Sequence, residues 1–294
     1  MVLSRRPADG AAPWRTAVWN GETRGAWAGE LDGGDVVINL AGRSVDCRYT
    51  PARRREIVES RVRSTRAIGD AIARAPRPPA LWLQASTATI YAHRFDAPND
   101  EATGRLGGAE LGVPDTWRFS IDVATAWERV FNENEAATPN TRKVAMRSAI
   151  IMSPDRGSAF DVLLGLVRRG LGGTSGDGRQ FVSWVHSEDF VRAVRWLVAH
   201  GEVSGVVNIA APNPLPNAEF MRALRAAWGI RIGVPTPGWL LEVGAWLIRT
   251  ETELVLKSRR VVPSRLLDAG FVFNWPHWPD AATDLVASWR RARP

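Results

Sequence analysis

Three hydroxyl side chains follow a short apolar run, and together they could bind and orient a polar substrate. Leu81–Ala85 reads as a buried strand, and Ser86, Thr87 and Thr89 come just after it. In an open α/β sheet, ligands bind at the edge where the strands have their carboxyl ends. The same residues could instead do no more than close the strand in a turn rich in Ser and Thr. Both interpretations remain open on this segment alone.

The other reactive residue types argue against metal chemistry. Cys47 is the only cysteine, which excludes an internal disulfide and a cysteine-based metal cage. The four histidines lie far apart and lack the spacing of a motif such as H-E-x-x-H; they are His93, His186, His200 and His277. We therefore expect no metal site.

A serine hydrolase is a weaker alternative, in which Ser86 or Ser183 would be the nucleophile, with His186 and Asp189 as its partners. The chain has no G-x-S-x-G motif. The nearest segments, Gly42–Asp46 and Gly173–Asp177, end in Asp where the motif requires Gly. The spacing of these residues therefore does not favour hydrolysis.

Composition and charge indicate an ordinary globular chain. Of its 294 residues, 45% are hydrophobic and 23% are charged. There is no run of 18 apolar residues and no apolar signal segment at the N-terminus, so we expect a cytoplasmic protein without a membrane span. The formal charge is +7, but the arginines are scattered, and the densest group (Arg53, Arg54, Arg55) lies among glutamates in a predicted helix. We therefore do not expect nucleic-acid binding.

The elements that must position the hydroxyl residues alternate between strand and helix, which indicates an α/β fold with a parallel sheet. Thr50-Pro51 is typical of a helix start, and Ile57, Thr65, Ile68 and Ile72 should face the sheet. The predicted strands are Val2–Arg5, Thr16–Trp19, Asp35–Leu40, Leu81–Ala85, Lys143–Met152, Phe181–Val185 and Val206–Ile209. The later predicted helices are Trp117–Ala136, Ala159–Arg169, Glu188–Ala199 with Ser187 as N-cap, and Glu219–Trp228.

An ordered set of short motifs carries a family resemblance. The matching segments are INLAG at Ile38–Gly42, ESRVRSTRAI at Glu59–Ile68, QASTATIYA at Gln84–Ala92, Trp127-Glu128, Gly170–Phe190, Asn208–Phe220 and Arg259–Phe273. With them the chain resembles the extended short-chain dehydrogenase/reductase superfamily. The resemblance is strongest to its atypical epimerase branch, which has a C-terminal domain of unknown function (DUF1731 type).

The resemblance implies a doubly wound, Rossmann-type domain over residues 1–229, with substrate-side segments from about residue 155. A small C-terminal α+β lobe would occupy residues 230–294. It also implies NADP as the cofactor, in preference to NAD, because Arg5 and Arg6 would follow the second family strand and could pair with the 2′-phosphate. The other implied cofactor residues are Asn20, Asn39, Leu40, Ala41, Gly42, Arg61 and Ala85.

For catalysis, the resemblance implies that Thr87 orients a substrate carbonyl or alcohol, with Ser86 as the alternative hydroxyl. Tyr91 and His186 are further candidates for the proton donor. Trp184, His186 and Asp189 would lie near the substrate. For His186 and Asp189, capping of a helix is an equal alternative.

Two departures from the family pattern matter. The family begins with a strand, a turn of the G-x-x-G-x-x-G type and a helix, whereas no Gly-rich loop precedes a helix before Asp35 here. In the Rossmann strand order the missing strand is central, so a gap with unpaired backbone groups is expected. An upstream start, a truncated inactive product and rearranged pairing are the three explanations left open.

The second departure is the catalytic pair Tyr-x-x-x-Lys. The residues four positions after Tyr49 and Tyr91 are Arg53 and Phe95, so the pair is absent by counting alone. Alignment through the Trp-Glu pair places Ser120 and Ala124 at those positions, and the proton donor is left unidentified.

The leading hypothesis is therefore an NAD(P)-dependent oxidoreductase or epimerase acting on a small polar substrate, such as a nucleotide-sugar. The main alternative is a non-catalytic NAD(P)-binding sensor or interaction protein. The fourteen tryptophans are mostly core candidates, with a homodimer contact left open.

Overall fold

The computed structural model describes residues 1–7, 13–235 and 257–293. In these ranges every predicted strand and helix has a counterpart. The strands are β1 (Val2–Ser4), β2 (Thr16–Val18), β3 (Val36–Asn39), β4 (Leu81–Thr87), β5 (Arg142–Ser148), β6 (Ile150–Met152), β7 (Phe181–Val182), β8 (Trp184–His186), β9 (Gly205–Ile209) and β10 (Leu215–Pro216). The α-helices are α1 (Pro51–Ala73), α2 (Asp115–Glu133), α3 (Ala159–Arg168), α4 (Ser187–Ala199), α5 (Asn217–Trp228), α6 (Ser264–Asp268) and α7 (Trp278–Arg291). Short 3₁₀ helices cover Ala26–Leu31 and Ala88–Ile90.

The largest sheet has four strands in the order β3-β4-β5-β9. β3 and β4 run parallel, with Val36 opposite Leu81 and Asn39 opposite Gln84. β1 and β2 form a separate parallel pair, β6 pairs in parallel with β8, and β7 pairs antiparallel with β10. Among the described residues, no strand joins β1 to β3.

The chain divides into two compact units. The first consists of Met1–Ser86, Asp122–Met146 and Gly201–Val206, and the second of Thr87–Ile121, Arg147–His200 and Val207–Pro294. Within the second unit, α5 and α7 pack against each other. The domain boundary expected near residue 230 stays a prediction.

The core of the first unit forms between α1 and the sheet. Thr50 caps α1 by accepting a hydrogen bond from the Arg53 amide, and Pro51 occupies the first turn, as predicted. The predicted inward face of this helix is confirmed, since all four of its residues are buried: Ile57, Thr65, Ile68 and Ile72. The ring of Trp82 on β4 meets the Phe131 ring of α2 edge to face, with centroids 4.7 Å apart. This aromatic contact fixes β4 against α2.

The core of the second unit gathers around α3, α5 and α7. Phe220 stacks on Trp278 with ring centroids 4.0 Å apart, and Trp184 meets Trp278 at 5.0 Å. Trp184, which the resemblance placed near a substrate, is fully buried in this apolar cluster. Its contacts in the structure are therefore packing contacts.

Two predicted strands are each divided into two. The predicted Lys143–Met152 strand breaks at Ala149, whose amide bonds to the carbonyl of Ile209. The predicted Phe181–Val185 strand breaks at Ser183, whose hydroxyl donates to the Arg259 carbonyl. Both breaks occur where the strand bonds to a segment that is distant in the sequence. The apolar runs alone therefore do not predict these breaks.

Candidate functional site

Two arginines of the first unit follow directly after β1 and could bind an anion there. Arg5 and Arg6 are exposed, and neither guanidinium contacts a carboxylate in the part of the chain that the structure describes. The Arg6 amide donates to the Ser4 hydroxyl at 3.3 Å, which shapes the turn after the strand. Their side chains are therefore available for a phosphate.

The two asparagines expected to touch a cofactor are committed to their own turns. The Asn20 side chain accepts from the amides of Glu22 and Thr23, both at 2.9 Å. Asn39 is buried, donates to Gln84 Oε1 at 2.9 Å and accepts from the Ala41 amide at 3.0 Å. These side chains shape the turns after β2 and β3, so any ligand contact there falls to the backbone.

The residues that follow β3 are exposed, and the guanidinium of Arg61 lies beside them. Leu40 is 63% exposed, and Gly42 is also exposed. A Cβ added at Gly42 would come within 3.2 Å of the Arg61 Cζ, so glycine is what lets this guanidinium lie close. The Arg61 Nη1 donates to the carbonyls of Arg43 and Ile57, both at 3.0 Å.

Arg61 has no acidic partner among the residues that the structure describes. Its guanidinium lies 5.0 Å from the centre of the Trp127 ring, and burial lowers its pKa from the usual value. Among the described residues no carboxylate pairs with it, whereas Arg63 on the same helix pairs with Glu22 and Glu59. A largely buried arginine without an acidic partner suits an incoming anion.

Ser86, at the end of the first unit, is joined to an acidic residue on α2. Its hydroxyl donates to Glu128 Oε1 at 2.5 Å, with Ser86 4% and Glu128 7% exposed. The neighbouring Ala85 carbonyl accepts from Gln84 Nε2 at 3.1 Å. The pairing makes Ser86 less accessible than a free hydroxyl, and it identifies Glu128 as a site residue that sequence reasoning missed.

Thr87 begins the second unit and presents the more accessible hydroxyl. Its Oγ1 donates to Thr89 Oγ1 at 3.0 Å and accepts from the Thr89 amide at 3.2 Å. The buried ammonium of Lys257 donates to the Thr89 carbonyl at 2.7 Å. A residue from late in the chain therefore fixes the turn that carries the candidate hydroxyl.

Tyr91 is held in a buried hydrogen-bond network. Its hydroxyl donates to Asn208 Oδ1 at 2.9 Å and accepts from Arg147 Nη1 at 3.0 Å, and the residue is 2% exposed. Burial raises the pKa of Tyr91, and the nearby Arg147 charge opposes this shift. A tyrosine with these partners is better suited to bracing the turn than to giving up a proton.

His186 and Asp189 make the helix-end contacts that formed the alternative interpretation. His186 Nδ1 accepts from the Glu188 amide at 3.1 Å, so His186, not Ser187 as predicted, caps α4. Its ring stacks on Trp275, and burial lowers its pKa although Asp284 opposes the shift. The buried Asp189 carboxylate accepts from backbone amides at residues 274 and 275. Both side chains thus have structural partners.

The residues missed by sequence reasoning share one property. Glu128, Arg147, Lys257 and Asn208 all reach a predicted site residue from a distant part of the chain. The only signals were the family matches at Trp127-Glu128 and Asn208–Phe220, which gave no role to Glu128 or Asn208. Within the described ranges no helix is long and apolar enough to cross a membrane, and no acidic, histidine and cysteine groups cluster as metal ligands would.

Comparisons with known families cover most of the chain. The NAD dependent epimerase/dehydratase family matches residues 20–210, and a domain of unknown function, DUF1731, matches residues 236–285. The human epimerase family protein SDR39U1 is 30% identical over 97% of this chain and 90% of its own length. The Bacillus subtilis epimerase family protein YfhF is 28% identical over 88% of this chain and 80% of its own length.

Solved structures confirm the predicted Rossmann-like α/β fold. The crystal structure of human SDR39U1 (isoform 2) with NADPH superposes with a TM-score of 0.80 and 28% identity, covering 97% of this chain and 90% of that one. A UDP-N-acetylglucosamine 4-epimerase from Bacillus cereus gives a TM-score of 0.71 at 16% identity, covering 98% and 89%. At that identity the second likeness concerns the fold alone.

Proposed function

Because the chain belongs to the NAD dependent epimerase/dehydratase family, we propose that it binds NADP(H) and transfers hydride to or from a small polar substrate. The observation that carries this proposal is the Arg61 guanidinium, which is largely buried beside Gly42 and has no acidic partner among the described residues. The human relative whose structure contains NADPH supports the choice of cofactor.

The residues present fit a dinucleotide. Leu40 and Gly42 are exposed and Ala41 is half-buried, so the small residues Ala41 and Gly42 after β3 would allow close approach of the adenosine part. Arg5 and Arg6 would pair with the 2′-phosphate, and Arg61 would supply positive charge for another phosphate. The nicotinamide, when bound, would donate the hydride in its reduced form or accept it in its oxidised form.

The chain's own part in the reaction is to orient the substrate. The Thr87 hydroxyl is the accessible one and would donate to a substrate carbonyl oxygen after releasing Thr89. Lys257 would keep the turn in place while this happens. We keep a nucleotide-sugar as the substrate class that the resemblance suggests.

A titration of NADPH followed by cofactor fluorescence tests the proposal. We expect saturable binding by this 294-residue chain. An absence of binding would contradict the proposal directly, because the cofactor is required for every step in it.

Replacing both Arg5 and Arg6 by alanine should weaken NADP binding roughly tenfold or more, while NAD binding changes little. The reason is that each charge-assisted contact to a phosphate contributes about 1.5 kcal/mol or more, and NAD lacks the 2′-phosphate. Parallel titrations of both cofactors measure the difference. An equal loss of affinity for NADP and NAD would mean that Arg5 and Arg6 do not recognise the 2′-phosphate.

Thr87→Val should abolish turnover and leave NADPH binding unchanged. Valine keeps the shape of threonine but lacks the hydroxyl that would orient the substrate. NADPH oxidation against a panel of carbonyl compounds measures turnover, with Thr283→Val on α7 as a matched control. Full activity of the Thr87 variant would mean that another group orients the substrate.

A non-catalytic NAD(P)-binding protein is the second candidate. The observation that favours it is the state of Tyr91, which is buried, bonded to Asn208 and Arg147, and has a raised pKa. Such a protein would bind NADPH tightly yet oxidise it with none of the carbonyl compounds. The same panel therefore separates the two candidates.

A further inference from the structure

Helix α3 is apolar on two opposite sides, although only one of them faces the core. Phe160, Leu164 and Val167 are fully buried in the core of the second unit. Val162 and Leu166 lie one turn apart on the other side, and both are exposed. Since a helix that is apolar all round is normally covered on every side, the outward side of α3 is a candidate contact surface.

The exposed apolar surface continues past the end of α3 onto a second segment. Leu171 is exposed, and its amide donates to the Leu166 carbonyl at 3.0 Å. The amide of Val234 donates to the Gly170 carbonyl at 2.9 Å, and the Val234 carbonyl accepts from the Gly173 amide at 3.2 Å. We call the five exposed residues of this surface the apolar patch: Val162, Leu166, Leu171, Ile232 and Val234.

Glycines allow the two segments of the apolar patch to lie this close. A Cβ added at Gly233 would come within 2.7 Å of the Gly172 carbonyl carbon, and one added at Gly173 would overlap the Val234 carbonyl oxygen. Arg225 Nη1 also donates to the Gly172 carbonyl at 2.6 Å, which ties α5 to the same turn. The apolar patch is therefore one continuous surface and not a set of scattered side chains.

Arginines surround the apolar patch. Arg169 lies on the outward side of α3, where its Nη1 donates to the Gly165 carbonyl at 3.0 Å. Arg168 beside it and Arg231 beside Ile232 are also exposed. Among the described residues no carboxylate lies within ion-pair distance of these three arginines. The exposed residues of segments 159–171 and 231–235 include no acidic side chain.

The single acidic residue of α3 already has partners on the core side. Asp161 Oδ1 accepts from Trp289 Nε1 at 2.6 Å and lies 3.2 Å from Arg293 Nη2. Its Oδ2 accepts from the Gly157 amide at 2.8 Å. The surface is therefore apolar in its middle and positive at its edge.

This combination of groups decides between the possible partners of the surface. A second copy bound about a two-fold axis would place the apolar patch against itself, and the arginines would find no acidic side chain there. A bilayer with anionic head groups supplies both an apolar layer and negative charge. Since α3 has 10 residues and a membrane span needs about 20, the helix would lie along such a surface.

We propose that α3 and the 231–235 segment dock on an anionic membrane surface. The apolar patch enters the boundary between head groups and acyl chains, and Arg168, Arg169 and Arg231 bind lipid phosphates. The docking is reversible, and it weakens as salt is added because the charges become screened. It is independent of the proposed cofactor chemistry, since neither Arg61 nor Thr87 belongs to the surface.

Co-sedimentation of the full chain with vesicles tests this proposal. One set of vesicles is pure phosphatidylcholine, and the other contains a quarter of phosphatidylglycerol. We expect binding to the second set only. Val162→Glu places a carboxylate in the apolar patch and should abolish that binding. Arg169→Gln combined with Arg231→Gln should weaken it roughly tenfold or more, because each arginine near an anionic surface contributes to the attraction.

Matched controls are needed because a chain with a formal charge of +7 is attracted to any anionic surface. Val191→Glu on α4 introduces the same carboxylate at a valine that is 47% exposed, compared with 53% for Val162. Arg66→Gln combined with Arg74→Gln removes two exposed charges from α1 and its end. Both controls should bind the anionic vesicles nearly as well as the parent.

The outcomes either support or overturn the membrane surface as the partner. Binding that requires phosphatidylglycerol, and that is lost or weakened only in the α3 and 231–235 variants, supports it. No binding, equal binding to both vesicle sets, or equal losses in the controls overturns it. A dimer that Val162→Glu dissociates, without vesicle binding, would identify a second copy as the partner. A monomer that Val162→Glu destabilises, also without vesicle binding, would mean that the chain covers the patch itself.

Discussion

Replacing Asp189 by alanine should lower the free energy of unfolding by about 3 kcal/mol. The carboxylate is fully buried and accepts from the amides of Asn274 and Trp275, and Arg192 forms an ion pair with it. Without it, two backbone donors and one cation lose their acceptor at once. Urea unfolding followed by tryptophan fluorescence measures the loss.

Two further variants make this result interpretable. Asp122→Ala removes an exposed carboxylate from α2 and should change stability much less. Asp189→Asn keeps one acceptor oxygen and should fall between the alanine variant and the parent. A loss of stability below about 1 kcal/mol in the alanine variant would contradict this prediction. It would mean that water takes over the hydrogen bonds of the carboxylate, although Asp189 is fully buried.

Arg61→Met should raise the dissociation constant for NADPH roughly 10- to 100-fold. Methionine retains much of the packing against Trp127, but it removes the charge and the donors that we assign to a cofactor phosphate. A charged hydrogen bond is worth about 1.5–3 kcal/mol, which corresponds to this range. Fluorescence titration of NADPH provides the measurement.

Arg63→Met is the matched control, since Arg63 lies two residues further along α1 and is paired with Glu22 and Glu59. It should bind NADPH like the parent. Gly42→Ala adds a second test, because its Cβ would lie 3.2 Å from the Arg61 Cζ and displace the guanidinium without removing it. Parent-like binding by both the Arg61 and Gly42 variants would exclude Arg61 as a phosphate ligand.

Sequence patterns such as helix caps and helical spacing predicted those parts of the fold that depend on residues close together in the chain. The Thr50-Pro51 start of α1 and its buried face at Ile57, Ile68 and Ile72 followed from capping and helical spacing. The β4 strand extends to Thr87, two residues beyond its predicted end, so the candidate hydroxyls close the strand itself. Such features depend on residues within a few positions of one another.

The hydrogen-bond partners of the candidate residues could not be predicted from local sequence signals. Ser86 meets Glu128 across 42 positions, and Tyr91 meets Asn208 across 117. Sequence spacing gives no period that relates residues so far apart. The cap of α4 shows the same limit on a smaller scale, because the choice of His186 over Ser187 depends on its packing against Trp275 and Asp284.

The bond between Lys257 and Thr89 has a consequence for the order of events on the ribosome. Chains emerge from the N-terminus, so Thr89 leaves the exit tunnel long before Lys257, which is 168 positions later. Ser258 and Arg260 reach His93 and Phe95 across 165 positions each. The turn that carries Thr87 therefore cannot acquire its contact with Lys257 during most of synthesis. A nascent chain stalled before residue 257 should hold Thr87 in a turn without the Lys257 contact, and the activity that we propose should arise only once translation is nearly complete.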